Sequence, residues 1–407
     1  MRLPLWVAAV VLTVWWACFQ FPAMWVATGI GEANRPFMDL YGILAACDAA
    51  RAGVDPFLPN NFDPYHRPHV YTTWWLELGR LGLTRADTRW LGAALLGVVL
   101  VTAMVMARPR NWSEGVALAL LLLSPAFLMA VNRANNDLVV FVLISMGLLC
   151  FRSERWTARA AGVGLFAVSA VLKYYPLVTL VALLGIRSRR GFIASLGLYG
   201  LVLVLAWPGL EPGLKSAARF IARPEWLYAY GAPVLLRNLG LTGTIGWLVP
   251  AGLMALWAGA GAWRKWTPGA RAETPVGQNA EREFVLGAAM VLGLFFIGSS
   301  YVYKLVFAVW LLPWLWLKRG DSIDGPRARR ILVLLLAVVW FEGVIAVLLN
   351  LLVGPHSRLL AGTWLKGALT VSQLLTWAWV ACLLRVTLGL LGRQAGAWWR
   401  HGRPAAA

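Results

Sequence analysis

The chain has 407 residues, 60% of them hydrophobic and only 14% charged, with a formal net charge of +19. A soluble domain holds about 45–50% apolar and about 25% charged residues, so this composition excludes an ordinary soluble protein and points to one immersed in lipid. The excess of 37 Lys and Arg over 18 Asp and Glu does not argue for nucleic acid, because the basic residues gather in short loops between apolar runs, as cytoplasmic loops of membrane proteins do.

Backbone polar groups inside a bilayer find no water, so spanning segments are helices or closed barrels. A barrel shows alternating segments of about ten residues; here the apolar runs are long and unbroken, and the expected fold is an all-α polytopic bundle. The first predicted span is Pro4–Ile30. It follows Arg2 as a signal peptide would, yet it is too long and lacks a small-residue cleavage site, so it reads as a retained helix. The polar stretch Gly31–Arg89 comes next and is the longest in the chain. In it Leu40, Leu44 and Cys47 recur at helical spacing, with Asp48 and Arg51 off the stripe, which predicts a short helix lying on the membrane surface. Gly53-Val54-Asp55-Pro56-Phe57 ends that helix in a turn. Tyr71, Trp74 and Trp75 read as interface aromatics.

Predicted spans follow at Trp90–Ala107, Glu114–Val131, Leu138–Phe151, Ala160–Ile186, Gly191–Trp207, Thr244–Trp263, Phe284–Gly298, Leu305–Leu317, Ile331–Val353 and Ala368–Leu391. The basic loops at Arg108–Arg110, Arg152–Arg159, Arg187–Arg190, Arg264–Arg282, Lys318–Arg330 and Arg393–Arg403 share one side on one condition: Ala160–Ile186 must enter and return. Pro176 breaks a helix there, so two short helices meeting at Lys173-Tyr174-Tyr175-Pro176 meet the condition. That makes about twelve membrane segments, two of them short, in a single domain over 1–391. Both termini are cytoplasmic, and 392–407 is a basic tail. The opposite side then holds Gly31–Arg89, the tip Asn132–Asp137, the Lys173 bend, the loop Pro208–Gly243, the tip Ser299–Lys304 and the loop Gly354–Gly367. Thr267–Asn279 reads as a cytoplasmic linker without chemistry.

Chemistry gathers on that outer side. Asp39 follows the first span and suits either of two roles: capping the helix after it or taking a proton from a sugar hydroxyl. The tip Asn132-Arg133-Ala134-Asn135-Asn136-Asp137 is either an ordinary turn, with Asp137 capping the next span, or a set of hydroxyl-binding amides beside an arginine able to pair with phosphate. Lys173 at a bend within the bilayer costs about 2.5–3.5 kcal/mol unless paired; it either snorkels to the interface or faces an anionic lipid phosphate. Lys304 has the same two options. Glu342, near the middle of its span, is a bundle contact, a proton path or a substrate contact. His66, His69 and His356 are the outer histidines, and His356 stands beside Arg358. The four cysteines form no CxxC, and no metal-ligand spacing or nucleotide-binding loop appears.

In order along the chain stand Asp39-Leu40-Tyr41, Gly53-Val54-Asp55-Pro56-Phe57, and Ser124-Pro125 ahead of Asn132-Arg133-Ala134-Asn135-Asn136-Asp137-Leu138. Leu172-Lys173-Tyr174-Tyr175-Pro176-Leu177 and Ser300-Tyr301-Val302-Tyr303-Lys304-Leu305 follow, the latter ahead of Leu311-Leu312-Pro313. Together they resemble the GT-C membrane glycosyltransferases, and most closely glycosyltransferase family 87, over roughly the first three quarters of the chain. The resemblance implies a GT-C bundle with an outer-face loop domain, in the inner membrane of a cell envelope. It implies transfer of a sugar, mannose first among candidates, from a polyprenyl-phosphate donor to a lipid-linked or surface glycan acceptor, with inversion at the anomeric carbon. On it Asp39 is the catalytic base. Lys173, Arg133, Lys304, Arg358 and His356 hold the donor phosphate. Asn135, Asn136, Asp137, Tyr41, Tyr174 and Tyr301 contact sugar or acceptor. No cofactor and no metal site is implied, with a divalent cation left open. The partners are donor, acceptor and membrane lipids, and not nucleic acid. A transporter or lipid flippase is the alternative. Such proteins bind at broken helices near the midplane and often carry two related halves, and no internal repeat stands out here.

Overall fold

The computed structural model describes the chain except residues 1, 22, 28–29, 31–35, 187, 221–226, 241–243, 264–273, 323, 354–357 and 402–407; side chains at 2, 26–27, 244–247, 261–263, 352–353, 358–364 and 395–401 are also outside the description. It is a helical bundle with one two-stranded sheet among the described residues. The helices are α1 (Arg2–Gln20), α2 (Ala23–Ala27), α3 (Met38–Arg51), α4 (Glu77–Arg80), α5 (Thr88–Ala107), α6 (Trp112–Leu122), α7 (Pro125–Arg133), α8 (Asp137–Phe151) and α9 (Trp156–Lys173). After a 3-10 segment at Tyr175–Gly185 come α10 (Arg189–Phe220), strand β1 (Ala229–Tyr230), α11 (Ala232–Asn238), α12 (Thr244–Trp263) and α13 (Pro275–Ile297). Strand β2 (Ser300–Tyr301) leads into a second 3-10 segment, Val302–Leu311, and α14 (Leu312–Lys318), α15 (Gly325–Val353) and α16 (Arg358–His401) complete the chain.

Among the described residues five helices are long and apolar enough to cross a membrane, or six when the bent pair α6–α7 counts as one span. The twelve segments expected from hydropathy are therefore not all of that length: several of the apolar runs are short or broken. Asp137–Phe151 has 15 residues, and Tyr175–Gly185 is an 11-residue 3-10 segment. The run expected at Glu114–Val131 bends by 54° at Ser124-Pro125. Ser124 caps the new helix by accepting the Phe127 N–H at 3.3 Å, and Pro125 takes the first helical turn, where its missing N–H costs nothing. The bend aims Arg133, at the end of α7, toward α3.

The core runs along the second 3-10 segment and α14. Phe307, Trp310, Leu311 and Trp314 are fully buried, as a segment apolar on all sides must be. Trp310 stacks on Phe141 of α8 with centroids 5.3 Å apart and donates its indole N–H to Ser145 at 2.9 Å.

The expected surface helix is α3, and Leu40, Leu44 and Cys47 are its buried stripe. Two other readings need correction. The first span ends at Gln20, not Ile30. More important, no loop begins at Pro208. α10 runs on through Pro208 and Pro212 to Phe220, because tertiary packing outweighs the two missing donors. Gly213 lets the helix pass so close to the Tyr71 carbonyl that a side chain there would overlap it, and Ser216 donates to the His69 carbonyl at 2.6 Å. The far half of α10 thus braces segment 69–74. At the C-terminal end, helix α16 continues to His401, through the start of the segment read as a tail.

Candidate active site

Asp39 lies in the first turn of α3, behind Phe37, which takes a left-handed conformation (φ 65°) and donates its N–H to the Asn132 carbonyl at 2.6 Å. No side chain caps α3, so of the two roles open to Asp39 the cap is not the one it takes. Its carboxylate reaches across to the tip after α7. Arg133 grips it with two parallel bonds, Nη2 to Oδ1 at 2.8 Å and Nε to Oδ2 at 2.9 Å, and Asn135 donates to Oδ2 at 2.5 Å. Arg67 Nη1 stands 3.6 Å from Oδ1. Burial alone would push this carboxyl up; Arg133, Asn135 and Arg67 outweigh it and hold the group below the usual carboxylate range. Asp39 is therefore ionised at neutral pH.

Lys173 ends α9, where Tyr174 (φ 57°) leaves the helix and Pro176 opens the 3-10 segment. The helix break thus falls where the Lys173-Tyr174-Tyr175-Pro176 reading puts it. The ammonium has three donors. Asp137 takes one at 2.5 Å, Asn135 Oδ1 another at 3.0 Å, and Asn136 Oδ1 the third. Tyr175 also donates its hydroxyl to Asp137. The wholly buried tip Asn135-Asn136-Asp137 is thus a bracket that fixes Asp39 on one side and Lys173 on the other.

Asp39 and Lys173 open on one cavity of about 1310 Å³. Arg67, Arg133 and Lys304 share its polar side, and Tyr71, Tyr301 and Tyr303 its aromatic side. Tyr301 stacks on Tyr303 with centroids 5.4 Å apart and lies under the Arg133 guanidinium at 5.8 Å. Another wall, with Leu177, Val178, Met290, Leu294 and Ile297, is apolar, and Arg237 also lines the cavity. Leu177 is 45% exposed and Ile297 74%, so this wall reaches the protein surface between the first 3-10 segment and the end of α13.

Lys304 differs from the other cations. It lies at the start of the second 3-10 segment, its ammonium 5.0 Å from the centre of the Tyr175 ring, and among the described residues no hydrogen bond or ion pair reaches it. Among the described residues in and behind the wall, Arg67, Arg133, Lys173, Arg237 and Lys304 stand against Asp39, Asp63 and Asp137. The surplus is positive, as an anion site requires.

The other sequence candidates fall as follows. Tyr174 and Tyr301 line the cavity. Asn135, Asn136, Asp137 and Tyr41 do not; the first three hold the bracket, and Tyr41 lies against Arg85. His356 and the side chain of Arg358 lie outside the described residues. His69 lines the cavity, where burial holds its imidazole down at about 4, so it is neutral. Tyr71, read as an interface aromatic, is instead a cavity residue with the Lys173 ammonium 5.5 Å from its ring centre. Sequence reasoning missed Asp63, Arg67 and Tyr303. Asp63 and Arg67 stand four apart and pair at 2.8 Å, a spacing legible in the sequence, but nothing in it shows that Arg67 also reaches Asp39. Glu342 lies outside the cavity, hydrogen-bonded to Ser372 at 2.7 Å.

The model of glycosyltransferase family 87 matches residues 78–280, about half of the chain. No curated protein and no solved structure matches it. The matched stretch holds Arg133, the Asn135–Asp137 bracket and Lys173, while Asp39 and Lys304 reach the same cavity from either side of it. The chain belongs to glycosyltransferase family 87 and is a glycosyltransferase.

Proposed function

We propose that the chain transfers a sugar, mannose first among candidates, from a polyprenyl-phosphate donor to a hydroxyl of a lipid-linked or surface glycan, on the extracytoplasmic face of the membrane. One observation carries the proposal: a carboxylate, Asp39, and an ammonium without an ion pair among the described residues, Lys304, face one cavity whose other wall is largely apolar and reaches the surface. A polar head and an apolar tail on one donor fit those two walls.

In the proposed reaction the acceptor oxygen attacks the anomeric carbon from the face opposite the phosphate, and the bond from that carbon to the phosphate oxygen breaks. The configuration inverts. The acceptor proton passes to Asp39, whose Oδ1 carries one short bond, from Arg133, and a long contact at 3.6 Å from Arg67 that a hydroxyl can displace. The electron pair leaves with the polyprenyl phosphate, a monoester dianion that needs cations more than a proton donor. Lys304 meets it first, because Arg133 and Lys173 are already paired; these two add field at short range. The Tyr301–Tyr303 stack offers a flat face for the sugar ring.

The test is direct. The full chain in phospholipid nanodiscs is given polyprenyl-phosphate hexoses and pentoses, or nucleotide sugars, with a glycolipid acceptor, and released polyprenyl phosphate is measured by mass spectrometry. Turnover with a lipid donor alone is the expected result. Turnover with nucleotide sugars alone, or with no lipid donor, overturns the proposal.

A further inference from the structure

We infer that Glu342, a buried carboxylate of α15 outside the cavity, is a positioning residue for the transfer site: it fixes the tip that carries Lys304, through the backbone of Tyr228. The inference rests on the proposed function only where it assigns the donor phosphate to Lys304.

The connection can be followed bond by bond. One oxygen of Glu342 accepts from Ser372 of α16 at 2.7 Å, and the other accepts the backbone N–H of Tyr228. Tyr228 has φ 62°, a left-handed conformation rare for an aromatic residue, which persists only where its surroundings hold it. The next carbonyl, of Ala229, accepts from Gln373 of α16 at 2.9 Å. The strap 228–231 then locks onto the tip. The Tyr228 carbonyl accepts the Val302 N–H at 2.9 Å, and Ala229 and Tyr230 pair antiparallel with Tyr301 and Ser300. Gly231 (φ 142°) passes so close to the Gly298 carbonyl that a side chain there would overlap it. Lys304 stands two residues beyond Val302.

Two strands of two residues are not stable by themselves. Their anchors include Glu342 and Gln373, reaching in from two long helices, beside the Tyr230 hydroxyl, which donates to the Val291 carbonyl of α13 at 3.0 Å. Contact between α15 and α16 accounts for the bonds that Glu342 shares with Ser372 and Gln373; the bond from the Tyr228 N–H goes to the strap, and from there the path ends at the cavity wall. A charged side chain within a membrane bundle is costly and marks a functional position by default, and this path gives Glu342 one.

The experiment reads the tip itself. Amide hydrogen exchange at Val302 is measured on the full chain in nanodiscs, unaltered and as Glu342→Ala, Glu342→Gln and Gln373→Ala, alongside donor kinetics. Glu342→Ala is expected to speed exchange at Val302 about tenfold or more and to raise donor KM by a larger factor than it lowers kcat. Glu342→Gln keeps an oxygen for the Tyr228 N–H and should fall between. Gln373→Ala should act in the same direction, and it serves alone if Glu342→Ala does not fold. Unchanged exchange at Val302 in the variants that fold overturns the inference, as does faster exchange with an unchanged donor KM. Lack of turnover by the unaltered chain with every lipid donor overturns the donor assignment instead, and exchange at Val302 then decides the strap.

Discussion

Two clusters of charge lie at opposite ends of α8, and each sets buried carboxylates against cationic side chains. At one end Asp39 pairs with Arg133 and Asp137 with Lys173. At the other, just past the end of α8, Glu283 of α13 pairs with Arg108 at 2.7 Å and with Arg152 at 2.8 Å. The second cluster is closed. Each carboxylate oxygen has its own guanidinium, and the three side chains tie α13 to the ends of α5 and α8. The first is open: it faces a cavity of about 1310 Å³, and among the described residues Lys304 has no hydrogen bond or ion pair, only the face of the Tyr175 ring. Buried ion pairs thus say little by themselves about function. A surplus of one sign in front of an empty volume says more.

The largest expected effect comes from breaking the open cluster at its carboxylate. Asp39→Asn keeps the shape and one of the two bonds from Arg133, its amide nitrogen replacing the oxygen that accepts the other, and it cannot accept a proton. Turnover per folded molecule should fall by about 10²–10⁴-fold, the usual contribution of a general base, with the gel-filtration profile unchanged and the thermal midpoint lowered as the weakened pairing with Arg133 implies. Retained turnover would remove Asp39 from the reaction. A pH arm sharpens the test. Because burial is outweighed by Arg133, Asn135 and Arg67, the folded carboxyl lies below its ordinary value. The ionised form, and the stability its pairing contributes, are present above the ordinary carboxylate range and are lost as pH falls through the depressed value. The acid limb of the pH–rate profile should therefore lie below that range, and a limb near neutrality would contradict the arrangement around Asp39.

The next effect separates Lys304 from Lys173. Lys304→Ala removes a cation that has no hydrogen bond or ion pair among the described residues, so donor KM should rise about 10–100-fold, as the loss of one charge-assisted bond implies, with little fall in thermal stability. Lys173→Ala should raise donor KM less and lower stability more, because Asp137 keeps the Tyr175 hydroxyl but loses its cation in a fully buried place. If Lys173→Ala has the larger effect on KM and Lys304→Ala none, the surplus charge lies elsewhere.

These contrasts also show what the sequence makes legible. Hydropathy gives the helical bundle, and the Leu40–Leu44–Cys47 stripe gives α3, because both are local periodicities. The break at Tyr174–Pro176 is legible because proline has a local steric effect. What escapes depends on which distant segment packs where. Arg133 reads as a phosphate ligand until its partner, 94 residues earlier, is seen holding it. Proline at 208 and 212 reads as a loop, yet α10 continues because Gly213 and Ser216 pack against segment 69–74. The strap at 229–230 is too short to leave any alternation pattern, and Glu342 gains its meaning only through it.

The smallest expected effect lies at the closed cluster, and it probes the comparison from the other side. Glu283→Gln removes one charge facing two arginines. Arg108 is 37% exposed and Arg152 23%, so water takes up part of the cost. The stability loss should stay near about 1–2 kcal/mol, seen as a lower thermal midpoint. Turnover per folded molecule and donor KM should not move, since none of the three side chains lines the cavity. A change in donor KM larger than the one produced by Lys304→Ala would mean that the far end of α8 is coupled to the site. The two clusters would then be parts of one device, and closure could no longer be taken as the mark of a purely structural ion pair.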